Sequence, residues 1–326
     1  DPYFTFDVGT AQERKMARFE SMNYFDKALY NKFAGTGASN PFVVFAQLVD
    51  KQAKTLFTEG ELANALKKTI DQVKPLFVDL IAAGFLIADP IQKKIQISPK
   101  LLAYAAATQG NGDYDNLLIV TDLRKVQSSA YATIELEKQE LLLRQVQQIT
   151  LSEAQQVRIF PDTSVVYMYQ NRDIGFSGLL KAGKCEILTR YAKFDYEKFL
   201  VNLLTTQAAS FRVRPLRKED GQDAILVRSE LKGLRGTLRI DAPENKAGKP
   251  NDNSQFPILT SVATSKIFYN DKTILKGAYD STRFYYEVAL FELDSLDDFS
   301  EAVFQLDGQL ISSGIFPKMQ VPVRIM

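Results

Sequence analysis

Histidine is missing from this chain and cysteine occurs once. The first absence removes Ser-His-Asp and Cys-His catalysis, His-ligated zinc or iron, and His-based proton transfer. The second leaves no intrachain disulfide and no thiolate cluster. Cys185 therefore reads as a small buried apolar residue, and a reducing, cytoplasmic setting is expected. Charge of one sign is lacking too: 40 Lys and Arg face 39 Asp and Glu, a net of +1. No global field draws such a chain to nucleic acid or membrane, so any such binding needs a local patch. No apolar run approaches the roughly 18 residues of a membrane span, and no membrane partner is expected. The sequence opens at Asp1 rather than Met, which implies upstream residues that were processed or trimmed.

What is present is an ordinary globular composition, 45% hydrophobic and 24% charged over 326 residues, enough for two or three cores. Residues 1–40 predict a helical extension, in which strand-like PYFTFDV precedes Met16, Phe19, Met22, Phe25, Leu29 and Phe33 at helical spacing. A Gly-rich break over 35–41 leads into a helical domain over 41–110. Residues 111–160 predict a strand, NLLIVTD, and a connecting helix over 130–148, rich in Glu, Leu, Gln and Lys and closed by Phe160-Pro161-Asp162. From 161 to 326, Val, Tyr, Ile, Phe and Thr runs alternate with Gly, Asn and Asp turns, including Asp220-Gly221 and Asn270-Asp271. That pattern predicts a mainly antiparallel β-rich domain with two helices, YEKFLVNLLTTQ after Asp195 and LDDFSEAVFQL after Asp294 or Ser295. Residues 242–256 are polar and rich in Pro, Gly and Asn, and read as a loop. The class is α+β.

The densest pattern lies over 41–98. Asn40-Pro41 starts a first helix carrying Phe45, Leu48 and Val49 on one face. Thr58 and Glu61 form a capping box for a second helix, and Lys67-Lys68-Thr69 is a turn. A third helix carries Val73, Phe77, Leu80 and Ile81 inward and ends at Gly84. Two short strands about Asp89-Pro90 follow, and Ser98-Pro99 starts another helix. This order and spacing resembles the winged helix-turn-helix superfamily over 41–98. The resemblance implies a third helix in the major groove and a wing along the DNA backbone. The base-facing side would then be Asp71, Gln72, Lys74 and Asp79, with Gln72 suited to adenine and Lys74 to guanine. The phosphate-facing side would be Lys67, Lys68, Lys93 and Lys94.

Two features oppose sequence reading by this helix. Asp71 and Asp79 bring negative charge to the face that should meet phosphate, and Pro75 interrupts the helix unless it starts near Lys74. Charge over 41–98 is nearly balanced, as in winged helices that serve only as protein-interaction modules.

A second positive stretch runs from Lys181 to Arg239. In FRVRPLRK, Arg212 and Arg214 alternate with Phe211 and Val213 and project from one face of a strand. Arg217 follows them, and Arg228 would lie on the strand paired across Asp220-Gly221. Such a surface suits contact with a nucleic-acid backbone, duplex or single-stranded. It equally suits a solvated face balanced by Glu219, Asp220, Asp223 and Glu230.

Catalytic motifs are weaker. Gly178 to Cys185 approaches a phosphate-binding loop but lacks its final hydroxyl and its following helix. Asp294, Asp297, Asp298 and Glu301 are explained by a helix N-terminus. Pro161-Asp162 lacks the rest of a nuclease motif, and Phe284-Tyr285-Tyr286 reads as strand core. No catalytic residue, metal ligand or cofactor is expected. The expected function is a non-enzymatic DNA-binding protein, a replication or regulatory factor of a plasmid, phage or chromosome. Its winged helix would hold duplex DNA, while the β-rich domain binds further nucleic acid or mediates oligomerisation. The alternative is a structural or interaction subunit of a larger assembly, with the winged helix as a protein-docking module.

Overall fold

The computed structural model describes residues 4–7, 16–21, 23–35, 40–110, 112–122, 132–215, 224–227, 229–250, 255–268, 281–298, 300, 304–317, 319–320 and 323–324. The chain is α+β and divides into two compact units, a helical one built on Glu20–Leu117 and a β-rich one built on Leu118–Met326.

Local signals set the helices. Asp26 Oδ1 accepts from Ala28 N and Leu29 N, so α1 spans only Lys27–Ala34. The helix expected from Met16 is instead a strand, Met16–Ser21, with α1 beginning at that cap. α2 (Pro41–Gln52) starts with Pro41 behind the Asn40 cap, whose Oδ1 accepts from Phe42 N at 3.0 Å. α3 (Glu59–Ala65) carries the reciprocal Thr58–Glu61 box. α4 (Ile70–Ala82) ends ahead of Gly84, whose φ of +77° lets Phe85 N reach Leu80 O at 2.9 Å. Pro75 was expected to delay the start of this helix. It lies inside the helix instead, which begins five residues earlier at Ile70. Ser98 caps α5 (Pro99–Thr108).

A three-stranded antiparallel sheet joins these helices. Lys94–Ile97 lies between Leu56–Phe57 and Leu86–Asp89, with Phe57 opposite Ile95 and Asp89 opposite Lys94. The core is aromatic. Phe42 and Phe85 meet edge to face at 4.9 Å, and Phe85 meets Tyr104 at the same distance. Burial pushes the Tyr104 phenol well above its ordinary range, and its hydroxyl oxygen accepts from Asp26 N at 3.0 Å.

The β-rich unit is an antiparallel meander through Val157–Met168, Ile174–Ala182, Cys185–Asp195 and Leu200–Val213. Register breaks recur on successive strands, between Pro161 and Val166, Phe176 and Gly178, and Leu188 and Ala192. Beyond this crease the neighbouring strands differ at the two ends. Val157–Ile159 pairs with Val146–Ser152, whereas Val165–Met168 pairs with Glu140–Arg144. On the far flank Ala209 faces Leu231, while Leu200–Leu203 pairs with Gly236–Arg239. Gly178 makes the crease possible. Its φ is +133°, and a Cβ there would stand 2.3 Å from Phe160 O.

Four expectations fail in this unit. The segment 130–148 is not a helix where it is described, but the strands Ala132–Glu135 and Glu140–Arg144 and the start of Val146–Ser152. Its helix formers are overruled by strand pairing, on both sides of Glu140–Arg144 and Val146–Ser152 and on one side of Ala132–Glu135. YEKFLVNLLTTQ is a turn followed by the Leu200–Val213 strand. Asp195 does cap, but it caps that turn, accepting from Lys198 N at 2.9 Å. LDDFSEAVFQL begins as a turn and reaches the short strand Gln305–Leu306, with 299 and 301–303 outside the described residues. Phe160-Pro161-Asp162 sits within a strand rather than closing a region. Asp220-Gly221 and Asn270-Asp271 lie outside the described residues, as does 251–254 of the expected loop. Among the described residues no helix is long and apolar enough to cross a membrane.

Candidate interaction surface

α4 carries Val73, Phe77 and Leu80 inward, and the opposite side stays exposed. That exposed side is not uniformly polar. Val78 is 63% exposed and Ile70 44%, while on the neighbouring hairpin Ile87 is 49% and Ile91 92% exposed. A trough of about 600 Å³ runs between the start of α3, the middle of α4 and the hairpin. Phe77, Val78 and Ile81 contribute from α4, and Ala88, Pro90 and Ile95 from the hairpin. Thr58, Glu59 and Gly60 close one side. Lys74, Lys93, Lys94 and Asp89 also line it. Asp89 Oδ1 accepts from Ile91 N and Gln92 N at 2.9 Å each, which folds the hairpin turn.

The structure brings together three of the lysines expected to meet phosphate or base. Lys74, Lys93 and Lys94 share this trough, and Lys67 and Lys68 are exposed on the turn between α3 and α4. Among the described residues, no ion pair within 4.0 Å involves any of the five, whereas Lys54 pairs with Glu61 at 2.7 Å and Lys100 with Glu20 at 2.9 Å. The pairing with Lys54, and then the hydrogen bonds from Thr58, hold the Glu61 carboxyl down at about 2.

Gln72 has a local task. Its Oε1 accepts from Thr69 N at 3.0 Å and caps α4. Bidentate recognition of adenine needs that oxygen as well as the amide nitrogen, so base reading competes with the helix cap. Asp71 and Asp79 are exposed on α4, as their positions imply.

The basic stretch of the β-rich unit is arranged differently. Arg212 is exposed and alternates with buried Phe211 and Val213 as expected. Arg214, however, pairs with Asp298 at 3.2 Å, and Lys184 holds the other oxygen of that carboxylate at 3.2 Å. Lys181 pairs with Glu186 and Lys193 with Asp173, each at 2.9 Å, and Arg239 pairs with Glu292 at 3.3 Å. Lys232 pairs with Glu230. Arg217 and Arg228 lie outside the described residues. The Gly178 to Cys185 segment is the end of a strand and a hairpin turn, with Ala182 opposite Cys185. Burial pushes the Cys185 thiol far above its usual range.

Sequence reasoning missed Gly60, Val78 and Pro90 as parts of one surface. The signal available was the i, i+4, i+7 stripe of Lys74, Val78 and Ile81. No protein-family model, curated protein or solved structure matches this chain.

Proposed function

We propose that residues 41–98 are a winged helix acting as a protein-docking module, and that the chain is an interaction subunit of a larger assembly. The apolar trough between α4 and the hairpin, with Val78 63% exposed beside it, carries this reading. Duplex DNA offers that surface phosphates and polar base edges, with the thymine methyl as the main apolar contact. A protein segment offers side chains that cover exposed Val78 and complete the burial of half-buried Ile81, up to about 1.5–3 kcal/mol for a large aliphatic taken from full exposure to full burial. Engagement of Gln72 in the α4 cap supports the same conclusion.

Contact with duplex DNA is the second reading, favoured by the five lysines that have no ion-pair partner among the described residues. One experiment separates the two. A photo-crosslinking residue replacing Val78 in the full chain, irradiated in the cell of origin, is expected to give a protease-sensitive, nuclease-resistant adduct. A nuclease-sensitive adduct transfers the surface to DNA.

A further inference from the structure

We infer that the trough takes a segment of a partner protein whose apolar anchors are bracketed by carboxylates. This rests on the docking reading and adds the chemistry of the occupant. The apolar part comes from exposed Val78 and half-buried Ile81, above the buried Phe77 and Ile95. A volume of about 600 Å³ lies within the range of roughly 300–1,000 Å³ that accommodates a compact ligand, and an amphipathic segment supplies such anchors at regular spacing.

Charge supplies the second half of the argument. Lys74, Lys93 and Lys94 share the trough with Glu59 and Asp89, and none of the three has an ion-pair partner among the described residues. Asp89 is committed to the hairpin turn through two backbone N–H groups. Glu59 stands in the first turn of α3, where the helix dipole favours its charge. Three cations against two carboxylates leave the trough with a net positive charge, and among the described residues neither carboxylate is in ion-pair range of a lysine there. A segment with Asp or Glu next to its anchors supplies counter-charges, whereas a basic segment meets repulsion from all three lysines.

Gly60 gives a clean way to close the site. It lines the trough, and a Cβ built on it meets nothing within 4 Å. Gly60→Trp therefore adds bulk at the edge of the trough without a clash at Cβ, from a helical position where losing glycine does not weaken the helix.

The test is a selection of displayed random 12-residue peptides on the full chain, counter-selected on Gly60→Trp, with the retained peptides synthesised and their affinities measured. The expected survivors carry two or more large apolar residues flanked by Asp or Glu. Lys93→Ala and Lys94→Ala should each weaken them by about two- to fivefold, the scale of one exposed ion pair, and affinity should fall as salt rises. Survivors that depend on Gly60 but show no acidic bias and no salt dependence overturn this inference while leaving the docking reading standing. Basic survivors that depend on Gly60 overturn it in the same way. Recovery of no peptide sensitive to Gly60→Trp overturns both.

Discussion

Lys74, Lys93 and Lys94 of the helical unit line an apolar trough with no carboxylate in ion-pair range among the described residues, while Lys181, Lys184, Lys193, Arg214 and Arg239 of the β-rich unit each touch one. Sequence density of positive charge would rank the β-rich stretch first, yet these five cations must release a neighbour before they can meet a ligand, which leaves exposed cations such as Arg190 and Arg212 without an ion pair among the described residues. An exposed pair is worth only about 0–1 kcal/mol, so neither arrangement is demanded by stability. The difference lies in availability: a positive patch is defined by the cations left over after the fold has paired the rest.

The largest expected effect tests that availability. Lys93→Glu with Lys94→Glu should reduce low-salt retention of the full chain on a heparin column strongly, on the order of tenfold or more in affinity, because repulsion replaces attraction at two sites. Lys184→Glu with Arg214→Glu should leave retention nearly unchanged. Equal losses from the two double variants would erase the distinction between the units.

A smaller effect runs the comparison in reverse. Asp298→Asn removes the carboxylate shared by Lys184 and Arg214 and should create polyanion binding on the β-rich unit. With a duplex probe, each further phosphate neutralised by the freed cations steepens the slope of log K against log salt by about 0.9. Folding stability should change by no more than about 1 kcal/mol, because these pairs are exposed. An unaltered slope would mean that pairing is not what silences these cations.

Gln72→Ala separates capping from reading. Loss of the Oε1 hydrogen bond with Thr69 N should destabilise the helical unit by about 0.5–1 kcal/mol, visible as a lower urea midpoint. Any nucleic-acid binding should keep its sequence preference. A changed preference with an unmoved midpoint would restore Gln72 to the base-facing role.

How much of this was legible depends on how far apart the deciding residues are. Asn40-Pro41, Thr58 with Glu61, and Gly84 fix helix ends through hydrogen bonds spanning no more than five residues, so the boundaries of α2, α3 and the end of α4 could be read directly. Thr69 and Gln72 repeat the Thr58–Glu61 pattern, so the role of Gln72 was readable by the same rule. In 130–148, local propensity pointed to a helix, and strands at 118–122 and 157–168 decided otherwise. The charges of the candidate site were visible, but their pairing was not. Asp298 lies 114 residues from Lys184, and the acids expected to balance the basic stretch were its sequence neighbours. The trough draws on α3, α4 and the hairpin together, and no single window of sequence contains it.

The smallest effect concerns a lysine close to this surface in sequence that is paired. Lys54 donates to Glu61 Oε1 at 2.7 Å, and Thr58 N donates to the other carboxylate oxygen at 2.7 Å. These hydrogen bonds lower Glu61 from an ordinary 4.5 to about 2, with Lys54 the largest cause. A carboxylate depressed on folding contributes stability that is complete above its unfolded value and is lost as pH falls through the folded one. The contribution of Glu61 should therefore be intact above about pH 5 and disappear towards pH 2. Glu61→Gln keeps an acceptor for Thr58 N and removes the charge, so the difference in urea midpoint between the parent chain and this variant should shrink across that window. Lys54→Met should raise the Glu61 titration midpoint, followed by carboxyl NMR, back towards 4.5 while Thr58 still caps α3. A midpoint that stays near 2 in Lys54→Met would show that the Thr58 hydrogen bonds alone hold the charge. Lys54 would then be as available as Lys93 and Lys94, and the boundary of the free positive surface would have to be redrawn to include it.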